Sequence, residues 1–180
     1  MRTFRTASIA ALLLTLCAAR PAAAQQANSG ADTNRTTITF AVSLLDETYG
    51  SGWGGDIEVS GARTWSPLRM SWVAEGGLNV FDGFSELTAM GGVRIGPRQG
   101  AMFRPFAKFM AGLQYCDECK TTDPTFEPAA GVDVAIGRSG RVALRGLVGY
   151  RITPSERETF KEVHVQIGVT IAIGAARRKQ

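Results

Sequence analysis

The most compact group of reactive side chains in this sequence is Cys116-Asp-Glu-Cys119. Two thiols at this spacing can form a local disulfide, contribute to a metal site or carry out redox exchange. A structural zinc site normally has four ligands, and no second cysteine pair exists, although Asp117 and Glu118 offer oxygen ligands. A thioredoxin-like motif needs a βαβ setting, which the neighbouring sequence lacks. In an oxidising compartment we therefore expect Cys116 and Cys119 to form a disulfide or to remain inert thiols.

The sequence contains one histidine, His164. A hydrolase or acyltransferase of the Ser-His-acid type needs a serine and an acid arranged around such a ring. Gln166 stands two positions after His164, and the nearby acids Glu156, Glu158 and Glu162 lie in or beside a predicted loop. We expect His164 at the outer end of the last strand, in the lumen or at the rim, hydrogen-bonded to a neighbour. No catalytic residue is assigned.

Glycine-rich Gly50-Ser-Gly-Trp-Gly-Gly55 contains no lysine and precedes no helical pattern. A phosphate-binding loop requires both, so this segment is predicted to be a flexible hairpin loop. We predict no cofactor and no metal ion.

The N-terminus has the features of a secretory signal. A positively charged start is followed by the apolar run Ile9–Leu16, which is too short to span a bilayer as a helix, and then by the small-residue box Ala22–Ala24. We predict that residues 1–24 are a signal peptide and that residues 25–35 are a flexible segment. An uncleaved anchor and a lipoprotein modified at Cys17 are the alternatives.

The basic character of the chain comes from its two ends. The sequence has 20 basic and 16 acidic residues, a net charge of +4 and a pI of about 9.3. Six of the basic residues fall in the leader and in the tail 175–180, which leaves fourteen against sixteen acidic residues. Nucleic-acid binding needs basic side chains clustered on one face, and no such cluster is visible, so we expect no nucleic-acid partner.

Apolar and polar residues alternate along most of the mature chain. The clearest case is the last segment, where every second residue from Val163 to Ile173 is β-branched and apolar. A period of two predicts a strand with unlike faces. The same pattern predicts strands at about 36–45, 55–65, 68–80, 85–95, 103–115, 128–136 and 141–151. Short connections predict hairpins, and therefore a closed, antiparallel, up-and-down, transmembrane β-barrel of about eight strands over residues 36–174.

The polar face of these strands carries charges of both signs interleaved with glycines such as Gly77, Gly131 and Gly149. A crowded lumen needs small residues beside large ones, whereas a solvated surface does not. We therefore predict that this face points inward and that the apolar face meets lipid. The predicted lumen charge network is Glu58, Arg69, Glu75, Glu86, Arg94, Arg104, Lys108, Asp133, Arg145 and Arg151.

Aromatic residues near predicted strand ends suggest interfacial girdles. They are Trp65, Trp72, Phe81, Phe84, Phe103, Tyr115, Phe126 and Tyr150.

Nearly all of the mature chain resembles the OmpA/OmpX-like small outer-membrane β-barrel proteins of Gram-negative bacteria. The last strand is similar to their C-terminal assembly signal: polar Gln166, then Gly168, then the alternating hydrophobic residues Ile171 and Ile173. Where many members end on an aromatic residue, this chain has Ile173. The resemblance implies an outer-membrane location, contact with outer-membrane lipid and insertion by the barrel-assembly machinery.

An eight-stranded barrel leaves room for side chains or one small ligand, so we expect a filled lumen and no large pore. We expect a monomer with a structural or surface-interaction role, displaying outward connections at about 46–55, 81–85, 116–127 and 152–161. The first alternative is a soluble periplasmic, lipocalin-like barrel whose apolar face points inward onto a hydrophobic ligand. The second is an outer-membrane lipid hydrolase or acyltransferase.

Overall fold

The computed structural model describes residues 36–47, 50–65, 68–97, 102–137, 140–155 and 159–173, apart from the side chains of residues 47 and 62–65. Each strand pairs antiparallel with the next, and β8 pairs with β1, which closes the barrel. The predicted closed barrel of eight strands is confirmed. The strands are β1 (Thr36–Glu47), β2 (Gly50–Trp65), β3 (Leu68–Val80), β4 (Ser85–Pro97), β5 (Phe103–Cys116), β6 (Thr121–Ile136), β7 (Val142–Pro154) and β8 (Thr159–Ile173).

The predicted signal peptide 1–24, flexible segment 25–35 and tail 175–180 lie outside the described residues. No helix among the described residues is long and apolar enough to span a membrane.

The barrel has two ends, which we name by the course of the chain. At the terminal end, β1 begins and β8 ends, and short connections join β2 to β3, β4 to β5 and β6 to β7. At the far end lie the other four connections, of which the β3–β4 and β5–β6 turns, residues 81–84 and 117–120, are fully described.

The strands are longer at the far end than predicted. They contain 12 to 16 residues, and β2 begins at Gly50, β6 at Thr121 and β8 at Thr159. The prediction of a flexible loop over Gly50–Gly55 is therefore wrong, because these residues pair with Val42–Glu47 of β1. Glycine weakens the side-chain signal of a strand, yet its backbone N–H and C=O groups still join the ladder.

The distribution of polarity is inverted relative to a water-soluble protein. Ile167 and Trp53 on the outer face are 68% and 65% exposed, whereas Arg145 and Arg151 in the lumen are 1% and 0% exposed. The alternation along β3 is complete, with every second residue buried. The lipocalin-like alternative requires the apolar face inside, so this arrangement contradicts it.

One of the predicted girdle aromatics points the other way. Phe81 is buried, its ring stacks on Phe84 with centroids 4.6 Å apart, and it packs where a Cβ on Gly52 would lie 2.6 Å away. Phe81 lies two residues after the buried Asn79 of β3, so its side chain points to the same, inward face. Trp72, Phe103, Phe126 and Tyr150 are exposed on the outer face, Phe84 and Tyr115 are half-buried, and the side chain of Trp65 lies outside the described residues.

Candidate functional site

Buried charged side chains occupy the lumen in two groups. The terminal cluster consists of Glu58, Glu75, Arg94, Lys108, Asp133 and Arg145. The far cluster consists of Asp56, Glu86, Glu127, Arg151, Glu162 and His164. Every one of these residues is at most 9% exposed. Burying so many charges is costly unless they are paired, so the pairing within each cluster decides what the lumen can do.

The terminal cluster is organised around one carboxylate. Glu58 accepts hydrogen bonds from Arg94 Nη1 at 3.3 Å, from Lys108 Nζ at 3.5 Å and from Arg145 Nη1. Lys108 also donates to Glu75 Oε2 at 2.6 Å. Three carboxylates therefore face three cations.

Arg145 also holds Asp133 with a two-pronged contact. Its Nε lies 2.7 Å from Oδ1, and its Nη2 lies 3.2 Å from Oδ2. Such bidentate pairs fix geometry as well as charge. The guanidinium carbons of Arg94 and Arg145 lie 5.2 Å and 5.0 Å from the centre of the Phe106 ring, which adds a cation–π contact to each cation.

The far cluster is organised around Glu127 and His164. Glu127 Oε2 lies 3.1 Å from Arg151 Nε and 3.0 Å from His164 Nδ1. The other ring nitrogen of His164 lies 3.5 Å from Asp56 Oδ2, and Arg151 Nη1 lies 3.8 Å from Glu162 Oε2. The cluster thus links four strands through one histidine and one arginine.

Carboxylates outnumber cationic side chains in the far cluster. Its four carboxylates, including Glu86, face only Arg151 and His164 among the cluster's own side chains, so acid is in excess even with the histidine protonated. Both oxygens of Asp56, both of Glu162 and one each of Glu86 and Glu127 accept no hydrogen bond in the described part of the chain, although Asp56 Oδ2 and Glu162 Oε2 keep their longer ion-pair contacts with His164 and Arg151. In the terminal cluster, this holds for one oxygen of Glu75. A buried oxygen left without a partner carries its full desolvation cost.

Glycines make room for the far cluster. A Cβ on Gly77 would collide with Asp56 Oδ1, and a Cβ on Gly149 would lie 2.7 Å from Glu127 Oε1. The two carboxylates therefore lie directly against backbone that carries no side chain. The glycines that alternate with large charged residues in the sequence therefore provide the space that these carboxylates occupy.

The structure places nine of the ten predicted network residues in the buried lumen, and Arg104 is half-buried near the terminal end. The sequence analysis missed Glu127 because the predicted connection 116–127 included this residue. Glu127 and Asp133 are an even number of residues apart on β6, so both side chains point to the same face. It also placed His164 at the end of a strand, whereas β8 begins five residues earlier and His164 is fully buried.

The surroundings of His164 consist of charged side chains of the far cluster. The hydrogen-bond and ion-pair partners of His164 are Asp56, Glu127 and Arg151, with no serine among them. The ring is 0% exposed, so a substrate has no route to it in this conformation. Within the described ranges, no three His, Cys, Asp or Glu side chains are grouped in a way that could hold a metal ion.

Cys116 and Cys119 lie at the far end and are joined by a disulfide, with Cα atoms 5.3 Å apart. The same turn contains Lys120, which has a positive φ of 54° and donates to Asp117 Oδ1 at 2.7 Å. This hydrogen bond raises the pKa of the exposed Lys120 ammonium. The disulfide and the ion pair hold a tight, solvent-exposed turn.

The four residues of the predicted assembly signal divide between the two faces of β8. Gln166 and Gly168 point into the lumen, whereas Ile171 and Ile173 are exposed on the outer face. Their recognition by an insertion machinery stays a prediction.

The barrel is similar to solved outer-membrane barrels. Neisserial surface protein A superposes with a TM-score of 0.54 at 14% identity, over 79% of this chain and 99% of that chain. Ail of Yersinia pestis in a phospholipid bilayer nanodisc gives a TM-score of 0.46 at 8% identity, over 78% and 99% of the two chains. No protein-family model matches the sequence, and no curated protein matches it as a relative. At this identity, the likeness to Neisserial surface protein A shows a shared fold.

Proposed function

We propose that this chain is a small outer-membrane β-barrel protein with a structural or surface-interaction role. The observation that carries the proposal is the inverted polarity of the wall. Large apolar side chains cover the outer face, while arginine, lysine and glutamate fill the lumen. A wall of this kind is stable only where lipid replaces water around it.

The filled lumen favours an anchor over a conduit. The terminal cluster crosses the barrel from Glu58 on β2 to Arg145 on β7. Val73, Met90 and Met110 form a buried apolar group that also fills the lumen. Eight strands enclose too little space for a channel once such side chains occupy it.

If the protein has a surface role, the groups that contact a partner lie at the far rim of the barrel. Its described turns, residues 81–84 and 117–120, are only four residues long. Exposed Asp82, Asp117 and Glu118 make these turns acidic. Short acidic turns favour small or cationic contacts over a broad adhesive surface.

Catalysis is the less supported role. A hydrolase needs a nucleophile beside its base and a path for the substrate. The burial of His164 between two carboxylates supplies neither, and this supports a non-enzymatic function.

Fractionation of an expressing Gram-negative bacterium tests the membrane assignment. We expect the protein in the outer-membrane fraction, released only by detergent and migrating differently before and after boiling. Release as a soluble protein by osmotic shock refutes it.

Single-channel recording across a planar bilayer tests the filled lumen. We expect no large, stable conductance step from the folded protein. A wide and persistent pore contradicts the proposed role as an anchor.

A further inference from the structure

The disulfide between Cys116 and Cys119 lies at the short turn that joins β5 to β6 at the far end of the barrel. Cys116 is the last residue of β5 and is half-buried, whereas Cys119 is exposed in the turn. A disulfide that meets solvent can be attacked by a thiolate, and exposed protein disulfides are the more labile ones. Cys119 is therefore the residue of the pair that an incoming thiol meets first.

Backbone hydrogen bonds close this turn independently of the disulfide. The Lys120 N–H donates to the Cys116 carbonyl oxygen at 3.0 Å, and the Asp117 N–H donates to the Ser85 carbonyl oxygen at 2.9 Å. Cys116 also pairs with Thr121 at the start of β6. None of these contacts involves sulfur, and a disulfide stabilises a protein less when the loop that it closes is shorter. The turn can therefore keep its shape while the disulfide opens.

The geometry favours Cys116 as the leaving group when the disulfide opens at Cys119. The backbone N–H of Cys119 donates to Cys116 Sγ at 3.2 Å. A hydrogen bond becomes stronger when its acceptor acquires negative charge, so this donor stabilises a thiolate at Cys116. A sulfur that forms a more stable thiolate leaves faster. Exposure of one cysteine and the hydrogen bond to the other therefore favour the same direction of attack.

Carboxylates outnumber ammonium groups in this turn. Asp117 and Glu118 are exposed, and the ammonium of Lys120 lies 2.7 Å from Asp117 Oδ1. Asp123 adds a carboxylate near the start of β6, where it accepts a hydrogen bond from Thr121 Oγ1 at 3.1 Å. A surface with an excess of negative charge attracts cations and repels anions. A thiol that carries a positive charge is therefore favoured over one that carries a negative charge.

We propose that the Cys116–Cys119 disulfide is an exchange site for a small cationic thiol. The thiolate of that molecule attacks Cys119 Sγ, the S–S bond breaks, and its electron pair stays on Cys116 Sγ, which takes up a proton. A second thiolate of the same kind attacks the small molecule's sulfur in the mixed disulfide and releases Cys119, which is protonated in turn. Two small thiols are thereby oxidised to one small disulfide, and the protein disulfide is reduced to two thiols. For its setting the proposal rests on the surface-interaction role proposed above, and it names the class of partner.

The test compares two small thiols of opposite charge on the full chain folded in zwitterionic detergent. Cysteamine is cationic and mercaptoethanesulfonate is anionic. Their rates of disulfide opening are measured at equal thiolate concentration by acid quenching and mass spectrometry. We expect cysteamine to react about threefold faster at low ionic strength and the difference to vanish in high salt, because exposed charges interact weakly and are screened. Equal rates at low salt, or a faster anionic thiol, overturn the proposal.

A pair of matched variants separates the charge of the turn from the charge of the whole rim. Glu118→Gln and Asp46→Asn each remove one exposed carboxylate at the far end, but Asp46 lies on β1, which is on the opposite side of the closed barrel from β5. Glu118→Gln should lower the preference for cysteamine by about half, and Asp46→Asn should leave it unchanged, since the interaction falls off with distance. Equal losses in the two variants overturn the proposal.

Peptide mapping and a comparison with the unfolded chain test the direction and the accessibility of the exchange. The mixed disulfide should be found on Cys119, and the folded chain should open within about tenfold of the rate in urea, because an exposed disulfide needs no unfolding. Heat-modifiable migration should show a folded barrel before and after reduction. Opening only after unfolding, or attachment at Cys116, overturns the proposal. Since the exchange is measured in detergent, release of the protein by osmotic shock refutes the membrane assignment alone.

Discussion

The terminal cluster and the far cluster contain the same kinds of charged side chain, but the balance of acidic and basic groups differs between them. In the terminal cluster, three carboxylates meet three cations, and Glu58 alone accepts from Arg94, Lys108 and Arg145. In the far cluster, four carboxylates share one arginine and one histidine, and six of their oxygens have no hydrogen-bond partner among the described residues. The comparison shows that a lumen can be filled with charged side chains without every charge being paired. Charge balance depends on which strands face one another.

The ends of the barrel differ in charge as well. Exposed Asp46, Asp82, Asp117 and Glu118 lie at the far rim, with Lys120 and Lys161 as the exposed cations described there. At the terminal end, a small pocket of about 50 Å³ is lined by four arginines, Arg69, Arg94, Arg104 and Arg141, and by Asp133. Among the described residues, acidic side chains therefore outnumber cations at the far end, both in the lumen and at the rim.

The largest effect is expected from removing the hub of the balanced cluster. Glu58→Gln keeps the shape but leaves Arg94, Lys108 and Arg145 facing only two carboxylates. Breaking a buried ion pair in this way costs about 3–5 kcal/mol. Urea unfolding of the protein folded in phospholipid vesicles should show this loss in the free energy of unfolding. A loss below about 1 kcal/mol, which is the size expected for an exposed ion pair, contradicts the central role of Glu58.

An intermediate effect on the free energy of unfolding is expected at Gly77, where the Asp56 carboxylate packs directly against the backbone. Gly77→Ala places a methyl group against Asp56 Oδ1 and 2.9 Å from Thr88 Oγ1. Overpacking of this kind costs about 1–3 kcal/mol. Gly76→Ala is the matched control, because its Cβ points outward and meets nothing closer than the Thr88 carbonyl oxygen at 3.8 Å. The same unfolding assay should separate the neighbours, and equal losses contradict tight packing around Asp56.

A smaller effect of opposite sign is expected from relieving the acid excess. Glu86→Gln removes one negative charge from a group with an unpartnered buried oxygen, and it should stabilise the barrel by about 1 kcal/mol. Glu75→Gln is the comparison in the balanced cluster and should destabilise, because Lys108 then loses its closest carboxylate. If both variants destabilise alike, the two clusters do not differ in charge balance.

The smallest effect is expected at the far rim. Lys120→Gln removes an ion pair between side chains that are 71% and 60% exposed. Such pairs contribute little because water and salt screen them. No measurable shift in the urea midpoint is expected, and a clear shift would show that the turn stabilises the whole barrel.

Much of the fold followed from alternation. The period of two from Val163 to Ile173 identified β8, and similar runs identified the other seven strands. Alternation works because side chains on successive strand residues point to opposite faces. It failed at the far end, where glycine in Gly50–Gly55 and proline in β6 interrupt the apolar positions while the backbone ladder continues.

The sequence also determined which side chains share the lumen, because parity along a strand is a local property. Glu58, Arg94 and Arg145 were assigned to one face without knowledge of any contact. The pairing of Glu58 with Arg145, 87 positions away, was decided only by the tertiary structure, as was the meeting of His164 with Asp56. Closure of the barrel and the register of every ladder set these contacts, and register is a relation between strands that no single strand encodes.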